Sequence, residues 1–476
     1  MAGIYKKGLR VSIYYRCVEG EEIKDTGKNT NWKTWLALVF FVTGIVYHVS
    51  LLTRINSPGL QKMYFDVANP PLRPDGTHTP GIDFNALYVQ GGNLVKGESI
   101  YTSFDELVGN KPREVDIEDV NYFGLPEEKL SEKAADLLPP YRYLPAAALV
   151  GTPFTFLPFR SAYNAWIVFH ELLILFSLYL LYKSTKNSTL ALTLCGMLLW
   201  FAPYYVEIFQ GQFSWLQAFL MLLCIFHLEC RTPIWGMWAF IASVLWKLNT
   251  LLWIFPLWFG GYRKWLIWLL AAIIIASVPY FIIHPEDITG FLAINLHPDT
   301  GHTFTFGNSG LRMFVDFVLR WTDNSSGDAI PNFLVKWLSL LIALCIFGLT
   351  ILATWRNRKD TVGNLLIFGT VYFLIYVDVW MHHWLMILPV VIWEYRRTRS
   401  PFVFIIWLIL ALPTRFDWIG EMSELRLTSP DMVANFPAAF LYFGQKAVPA
   451  FVLWIWQYKR MQSKDGTNQN RMRREG

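Results

Sequence analysis

Six ionisable side chains stand in or beside apolar stretches of the sequence: Asp83, Glu207, Lys247, Asp378, His382 and His383. Their types suit two kinds of chemistry. A carboxylate or an imidazole takes a proton from a hydroxyl. An ammonium or an imidazole steadies the charge of a phosphate. Gln210, Gln212, Asn249, Asn308 and Ser309 lie close by in sequence and add hydrogen-bonding groups. Ionisable groups at membrane depth are costly, so each is by default a candidate for function. Each also has an ordinary reading. Asp83 sits where a residue caps a helix. Lys247 is long enough to snorkel to the headgroups. Gln212 and Asn308 suit turns, His382 and His383 suit an interface, and Glu207 suits a pair with a loop cation.

The elements that must position these residues are membrane helices. Of 476 residues, 54% are hydrophobic and 16% charged, against about 25% charged in an ordinary soluble domain. Lipid covers that much apolar surface; a soluble fold of this length does not. The 22 tryptophans fit membrane interfaces. The net charge of +5 comes from short Lys/Arg clusters between apolar runs, so membrane lipids are expected as partners and nucleic acid is not. A span needs about 20 apolar residues. Runs of that kind begin at Trp35–Leu52 and end at Phe436–Tyr458, and hydropathy predicts an all-α polytopic protein of roughly 11–13 membrane segments. The run Tyr143–Leu157 is short, either crossing or re-entrant. Ile234–Phe259 is interrupted at Lys247 and Asn249.

Basic loops stay in the cytoplasm. Placing Lys6 to Lys33, Lys183/Lys186, Arg263/Lys264, Arg356/Arg358/Lys359, Arg396/Arg397/Arg399 and Lys459/Arg460 there puts both termini inside. The expected organisation is a cytoplasmic segment 1–33, one transmembrane domain 34–460, and a mobile cytoplasmic tail 461–476. Long outer loops fall at 53–142 and 284–332, and a smaller one at 415–435. In the first, Phe84, Leu87, Tyr88, Leu94 and Val95 share a helical face, with Asp83 at the N-cap and Gly97 as the stop. This pattern predicts an amphipathic helix on the membrane surface.

Nucleotide-binding motifs are missing: there is no GxxxxGK[ST] and no GxGxxG after a strand. The run Asp116-Ile117-Glu118-Asp119 reads as a solvated loop surface. The five cysteines are scattered, with no CxxC pair, and suggest neither a disulfide framework nor a zinc site. No cofactor or metal site is assigned. Asp83 is a residue type that binds a divalent ion, but no second first-loop carboxylate is spaced to help it.

Six local motifs follow one another in a recognisable order. They are Ile82-Asp83-Phe84 with Tyr88 and Gly97 to Tyr101; Tyr141-Arg142-Tyr143-Leu144-Pro145 with Pro153, Pro158 and Trp166; and Gly211-Gln212. Then come Trp246-Lys247-Leu248-Asn249; Asn308-Ser309-Gly310-Leu311; and His382-His383-Trp384 with Leu388-Pro389. Together they resemble the membrane-embedded glycosyltransferases of the C superfamily (GT-C). More narrowly, they resemble the polyprenyl-phosphate-mannose-dependent alpha-mannosyltransferases, including the mycobacterial enzymes that extend phosphatidylinositol mannosides. The sequence departs from that pattern in having Leu144 before Pro145, Asn249-Thr250 after the lysine, and Ser309 directly after Asn308.

The resemblance implies a GT-C-like fold in a bacterial plasma membrane, with the active site on the extracytoplasmic side. It implies inverting transfer of a hexose, mannose first, from a polyprenyl-phosphate donor to a glycolipid or lipid-anchored glycan. Asp83 would be the base. Lys247, His382, His383, Gln212, Asn308, Glu207 and Tyr143 would bind donor phosphate or substrate. Two other classes stay open on the residues alone: a lipid or solute transporter, and a non-catalytic partner of an envelope-glycan assembly.

Overall fold

The computed structural model describes residues 30–64, 80–103, 106, 120, 138, 140–296, 308–326, 332–414 and 436–475. The segment 1–29, the acidic run at 116–119 and the whole of the third loop, 415–435, lie outside the described residues. Among the described residues the chain is helical throughout, with one isolated β-bridge between Asn308 and Trp380.

The apolar runs form the helices. α1 (Thr30–Thr53) and the short α2 (Pro58–Tyr64) lead into the first loop. That loop returns as α3 (Ile82–Lys96), α4 (Pro145–Gly151) and a 3-10 turn, Thr152–Phe156. Next are α5 (Phe159–Lys183), α6 (Ser188–Leu199), α7 (Tyr204–Gln210) and α8 (Ser214–Glu229). α9 (Pro233–Trp246) passes through a 3-10 turn, Leu248–Trp253, into α10 (Ile254–Phe259). α11 (Arg263–Ile283), α12 (Asp287–Leu296), α13 (Leu311–Ser326) and α14 (Asn332–Arg356) follow. α15 (Thr361–Ile375), a 3-10 turn Met381–Ile387, α16 (Leu388–Thr398), α17 (Pro401–Ala411) and α18 (Phe436–Glu475) complete the chain.

Local chemistry sets several boundaries. Asn187 caps α6 by accepting from Leu190 N at 2.9 Å, and Asp360 caps α15 by accepting from Gly363 N at 2.9 Å. Proline opens α4, α9 and α17, where its missing N–H costs nothing.

Among the described residues, four helices are long and apolar enough to cross a bilayer: Trp32–Thr53, Phe159–Lys183, Arg263–Ile283 and Trp337–Arg356. α6 and α7 make a fifth if their 47° bend lies within one span. The other apolar stretches are shorter pieces of 10–17 residues, such as α8, α9 and α15. Full-length helices among the described residues are thus fewer than the 11–13 segments expected from hydropathy, and the other apolar stretches are short or broken. Lipid-facing helices leave apolar side chains outward: Ile267, Ile275 and Ile282 of α11 are exposed. α15 is the opposite case, with every residue from Val362 to Leu374 buried. A helix that is apolar all round belongs at the centre of a bundle, and α15 packs there against Trp384, Val390 and Leu257 of the core.

The run Tyr143–Leu157, open in the sequence between crossing and re-entrant, is too short to cross: α4 and the 3-10 turn are 7 and 5 residues long, about 20 Å in all, and they pack on α3. Polar residues after Met461 continue α18 to Glu475, because a long apolar helix propagates into them at little cost per residue. Cys195, Cys224 and Cys345 are free thiols, but Cys230 is disulfide-bonded. Pairing between distant positions is not legible from spacing.

Candidate active site

Two helix breaks build the site. α9 stops at Lys247, whose backbone turns extended at φ −153°, and the chain resumes as a 3-10 turn. The freed backbone groups at such a break need partners. Gln217 of α8 supplies one, donating its side-chain amide to the Lys247 carbonyl at 3.0 Å. α15 likewise ends at Ile375, and the chain crosses 376–380 before the Met381–Ile387 turn. The two breaks face each other. The Lys247 ammonium donates to His383 Nε2 at 2.9 Å. His383 Nδ1 lies 3.0 Å from the Asp378 carbonyl. The Trp380 N–H stands 3.3 Å from the same Nδ1, but a carbonyl only accepts and an ammonium only donates, so the two shorter contacts together place the proton on Nδ1 and leave the Nε2 lone pair for the lysine.

Asp83 arrives from the first loop. The N-cap of α3 is Gly81 at φ 82°, and Asp83 stands in the first turn instead of capping, which corrects the sequence expectation. Gly81 N donates to Phe209 O at 2.7 Å, and its left-handed backbone is one that a side chain at this position strains to adopt. The entry to α3 is therefore tied to the end of α7, and the Asp83 carboxylate is free of capping. α7 itself ends at Gly211, φ 70°, where an added Cβ would lie 2.5 Å from the Phe84 Cβ. α3 and the α7–α8 turn consequently touch, and Gln212 hydrogen-bonds the Asp83 side chain. α3 stops at Gly97 as expected. It is more enclosed than a helix lying on a membrane surface, with Phe84 to Leu87 and Val89 to Gly91 buried under α4 and its 3-10 turn, although Val95 is exposed.

Lys247 lies within electrostatic reach of both Asp83 and Glu207. Glu207 is fully buried, and its Oε1 accepts from Trp215 N at 2.6 Å, at the N-terminus of α8. Tyr143 presents its ring to Lys247, with Nζ 5.9 Å from the centroid, and its carbonyl accepts from Tyr101 OH at 2.6 Å. The first loop thus brings Asp83 and Tyr143 to a lysine held by the two breaks. Asp83 lies outside the spanning segments. Burial raises its carboxyl from 3.8 to about 6, opposed by the Gln212 hydrogen bond and by the charges of Lys247 and Arg142. A carboxylate with that value is poised as a base near neutral pH.

Asn308 stands one layer back. Its amide donates to Val377 O at 2.7 Å, and its oxygen accepts from Val379 N at 3.1 Å and Gly310 N at 3.3 Å. It staples 308–310 to the break after α15. Ser309 supports the same layer, accepting from Trp384 Nε1 at 2.6 Å. His382 packs edge-on against His383 with centroids 4.4 Å apart, and it is His383 that meets the lysine.

Three residues of this region escaped the sequence reading. Tyr372 lies 3.2 Å from His383 Nδ1 and accepts from Asn249 at 3.0 Å. Exposed Arg142 acts electrostatically on Asp83 and Tyr376. Gln217 is the third, and its signal was available: a lone glutamine in the apolar α8. Tyr372 looks like any interfacial tyrosine. Among the described residues, no three His, Cys, Asp or Glu side chains converge as metal ligands.

Residues 141–377 match glycosyltransferase family 87. The matched stretch holds Tyr143, Glu207, Gln212, Lys247, Asn308 and Tyr372, whereas Asp83, His382 and His383 lie outside it. Neither a curated protein nor a solved structure matches the chain. The family match and the all-helical membrane architecture together support a membrane glycosyltransferase.

Proposed function

We propose that this chain is an inverting glycosyltransferase. It moves a hexose, mannose in the first instance, from a polyprenyl-phosphate donor to a hydroxyl of a glycolipid or lipid-anchored glycan at the non-cytoplasmic face. The observation that carries the proposal is a buried carboxylate, Asp83, within electrostatic reach of an ammonium, Lys247, at the break between α9 and its 3-10 turn. A transferase of this kind needs both. The acceptor oxygen attacks the anomeric carbon and its proton passes to Asp83. The bond from that carbon to the phosphate oxygen breaks, and the lipid phosphate leaves with the electron pair. Lys247 supplies the charge that the leaving phosphate requires. His383, accepting from that ammonium through Nε2, is a positioning residue for it. Tyr143 walls the lysine on the other side. A phosphate on a lipid tail reaches such a site laterally, from the membrane.

The test is transfer by purified protein in nanodiscs, with radiolabelled polyprenyl-phosphate mannose and extracted membrane lipids. Label should move to a new lipid with the wild type and not with Asp83→Asn. Normal turnover by that variant would overturn the base assignment. Movement of intact labelled donor across vesicles without chemical change would replace the enzyme with a transporter, a class whose members also carry broken helices.

A further inference from the structure

We infer that Glu207 and Gln212 form a hydroxyl-reading pair, taking hydrogen bonds from a sugar ring held beside Asp83. This deepens the transferase reading and rests on it. The inference comes from two oxygen atoms. Among the described residues, Glu207 Oε2 and Gln212 Oε1 are buried with no hydrogen-bond partner. Buried polar atoms are almost always paired, and each exception asks for an explanation. With Glu207 ionised, both of these are acceptors, so what completes them is a donor.

Neither oxygen is free to turn elsewhere. Glu207 has its other oxygen fixed on Trp215 N at 2.6 Å, and the neighbouring Ser214 backbone N–H also faces the carboxylate. Gln212 lies beside the Asp83 carboxylate and favours its ionised form, which only the amide N–H of Gln212 can do, so its oxygen is left over. The backbone locks the pair together: Gln212 N donates to Glu207 O at 2.9 Å across the left-handed Gly211. The two side chains are thus rigid acceptors one turn apart, next to the base.

The nearest cation does not answer the need. Lys247 directs its ammonium to His383, and it is the group assigned here to the phosphate. A hexose supplies what is missing, since its hydroxyls donate hydrogen bonds on neighbouring carbons. The same chemistry comes from two sources, the transferred sugar and the sugar of the acceptor glycan.

The experiment uses the full chain in nanodiscs and the variant Glu207→Gln. That change keeps an oxygen for Trp215 N and places an amide donor where Oε2 stood. Transfer is measured with polyprenyl-phosphate mannose and with analogues each lacking one ring hydroxyl, and then with the matching deoxy acceptors. Donor binding is followed separately by calorimetry. Leaving a buried acceptor unpaired should make the wild type reject one deoxy analogue by about 10- to 100-fold. Glu207→Gln should lose most of that discrimination while thermal unfolding changes little. Discrimination against a donor analogue assigns the pair to the transferred sugar, and against an acceptor analogue to the acceptor. Equal treatment of all analogues by both proteins, with transfer intact, overturns the hydroxyl reading and leaves the transferase reading standing. Discrimination in binding without transfer keeps the hydroxyl reading and overturns the transferase. Neither binding nor transfer overturns both.

Discussion

Glu229 and Trp215 lie at opposite ends of α8, and the charges around those two ends are handled differently. Around Glu229, charges meet charges. Arg397 grips both oxygens of Asp360 at 2.9 and 3.1 Å. Arg396 donates twice to the Ser184 carbonyl and reaches Glu229 at 3.5 Å. Arg460 of α18 pairs with the fully buried Glu394. Charge-assisted contacts and ion pairs of this kind hold helix ends in place. Around the other end, Lys247 donates to a neutral imidazole, Glu207 keeps one oxygen unpaired, and Asp83 bonds an amide. Opposite charges are brought near one another there without being paired off. The first arrangement ties α8, α15, α16 and α18 together; the second leaves charge available for a substrate. Their mutants should therefore fail in different ways.

The largest effect should come from Asp83→Asn. Losing a general base costs about 10²- to 10⁴-fold in kcat, with the thermal unfolding midpoint close to that of the wild type. Lys247→Met should follow, with kcat/KM down by about 10²- to 10³-fold through loss of charge at the leaving phosphate. Either variant losing its fold instead of its activity would erase the distinction between the two ends.

Arg460→Met tests the other end. Removing one partner leaves Glu394 buried without its cation and should cost about 3–5 kcal/mol. The readout is unfolding in detergent, with turnover per folded molecule unchanged. The double variant Glu394→Met with Arg460→Met should recover most of the loss, because apolar replacement of a buried pair is often neutral. A kcat defect in the folded double variant would mean that the two ends are coupled.

The sequence carried the membrane class and the helical runs, because lipid exposure writes itself into long apolar stretches such as α11. It also placed Asp83, Lys247 and the two histidines at one end of the protein. It did not say that His383 meets the lysine while Asn308 turns into a staple, since both are polar residues at helix breaks. Polar partners across 70 or more positions leave no local pattern. Lys446 makes the same point: it sits in an apolar run, yet its ammonium donates to the carbonyls of Leu410 and Leu412 at the end of α17. The capping of α3 was misread because Asp is a favoured N-cap and Gly81 takes that place only through its contact with α7.

That contact gives a smaller prediction. Gly211→Ala forces a side chain into the left-handed region, at about 1–2 kcal/mol, and pushes its Cβ against Phe84. α3 should shift, so kcat should fall several-fold together with stability. Gly97→Ala, at φ 74° with nothing within 4 Å of the added Cβ, carries the backbone cost alone. Equal kcat losses in the two variants would mean that the Phe84 contact does not position Asp83.

The smallest effect is on pH dependence. The Asp83 carboxyl is raised to about 6 by burial, and the base works only when deprotonated. Activity should therefore be full well above pH 6 and fall about tenfold per unit well below it, read as the acid limb of kcat/KM. The Gln212 hydrogen bond favours the ionised form and holds this value down. Gln212→Leu removes that bond, so the acid limb should move to higher pH, by less than about one unit for a single neutral donor. Lys247→Met should move it the same way, through loss of a positive charge. Arg460→Met, in the charge-paired region at the other end of the bundle, should leave the limb where it is. If the limb follows Arg460 and ignores Gln212, the group titrating is not Asp83, and the contrast between the two ends fails at its most sensitive point.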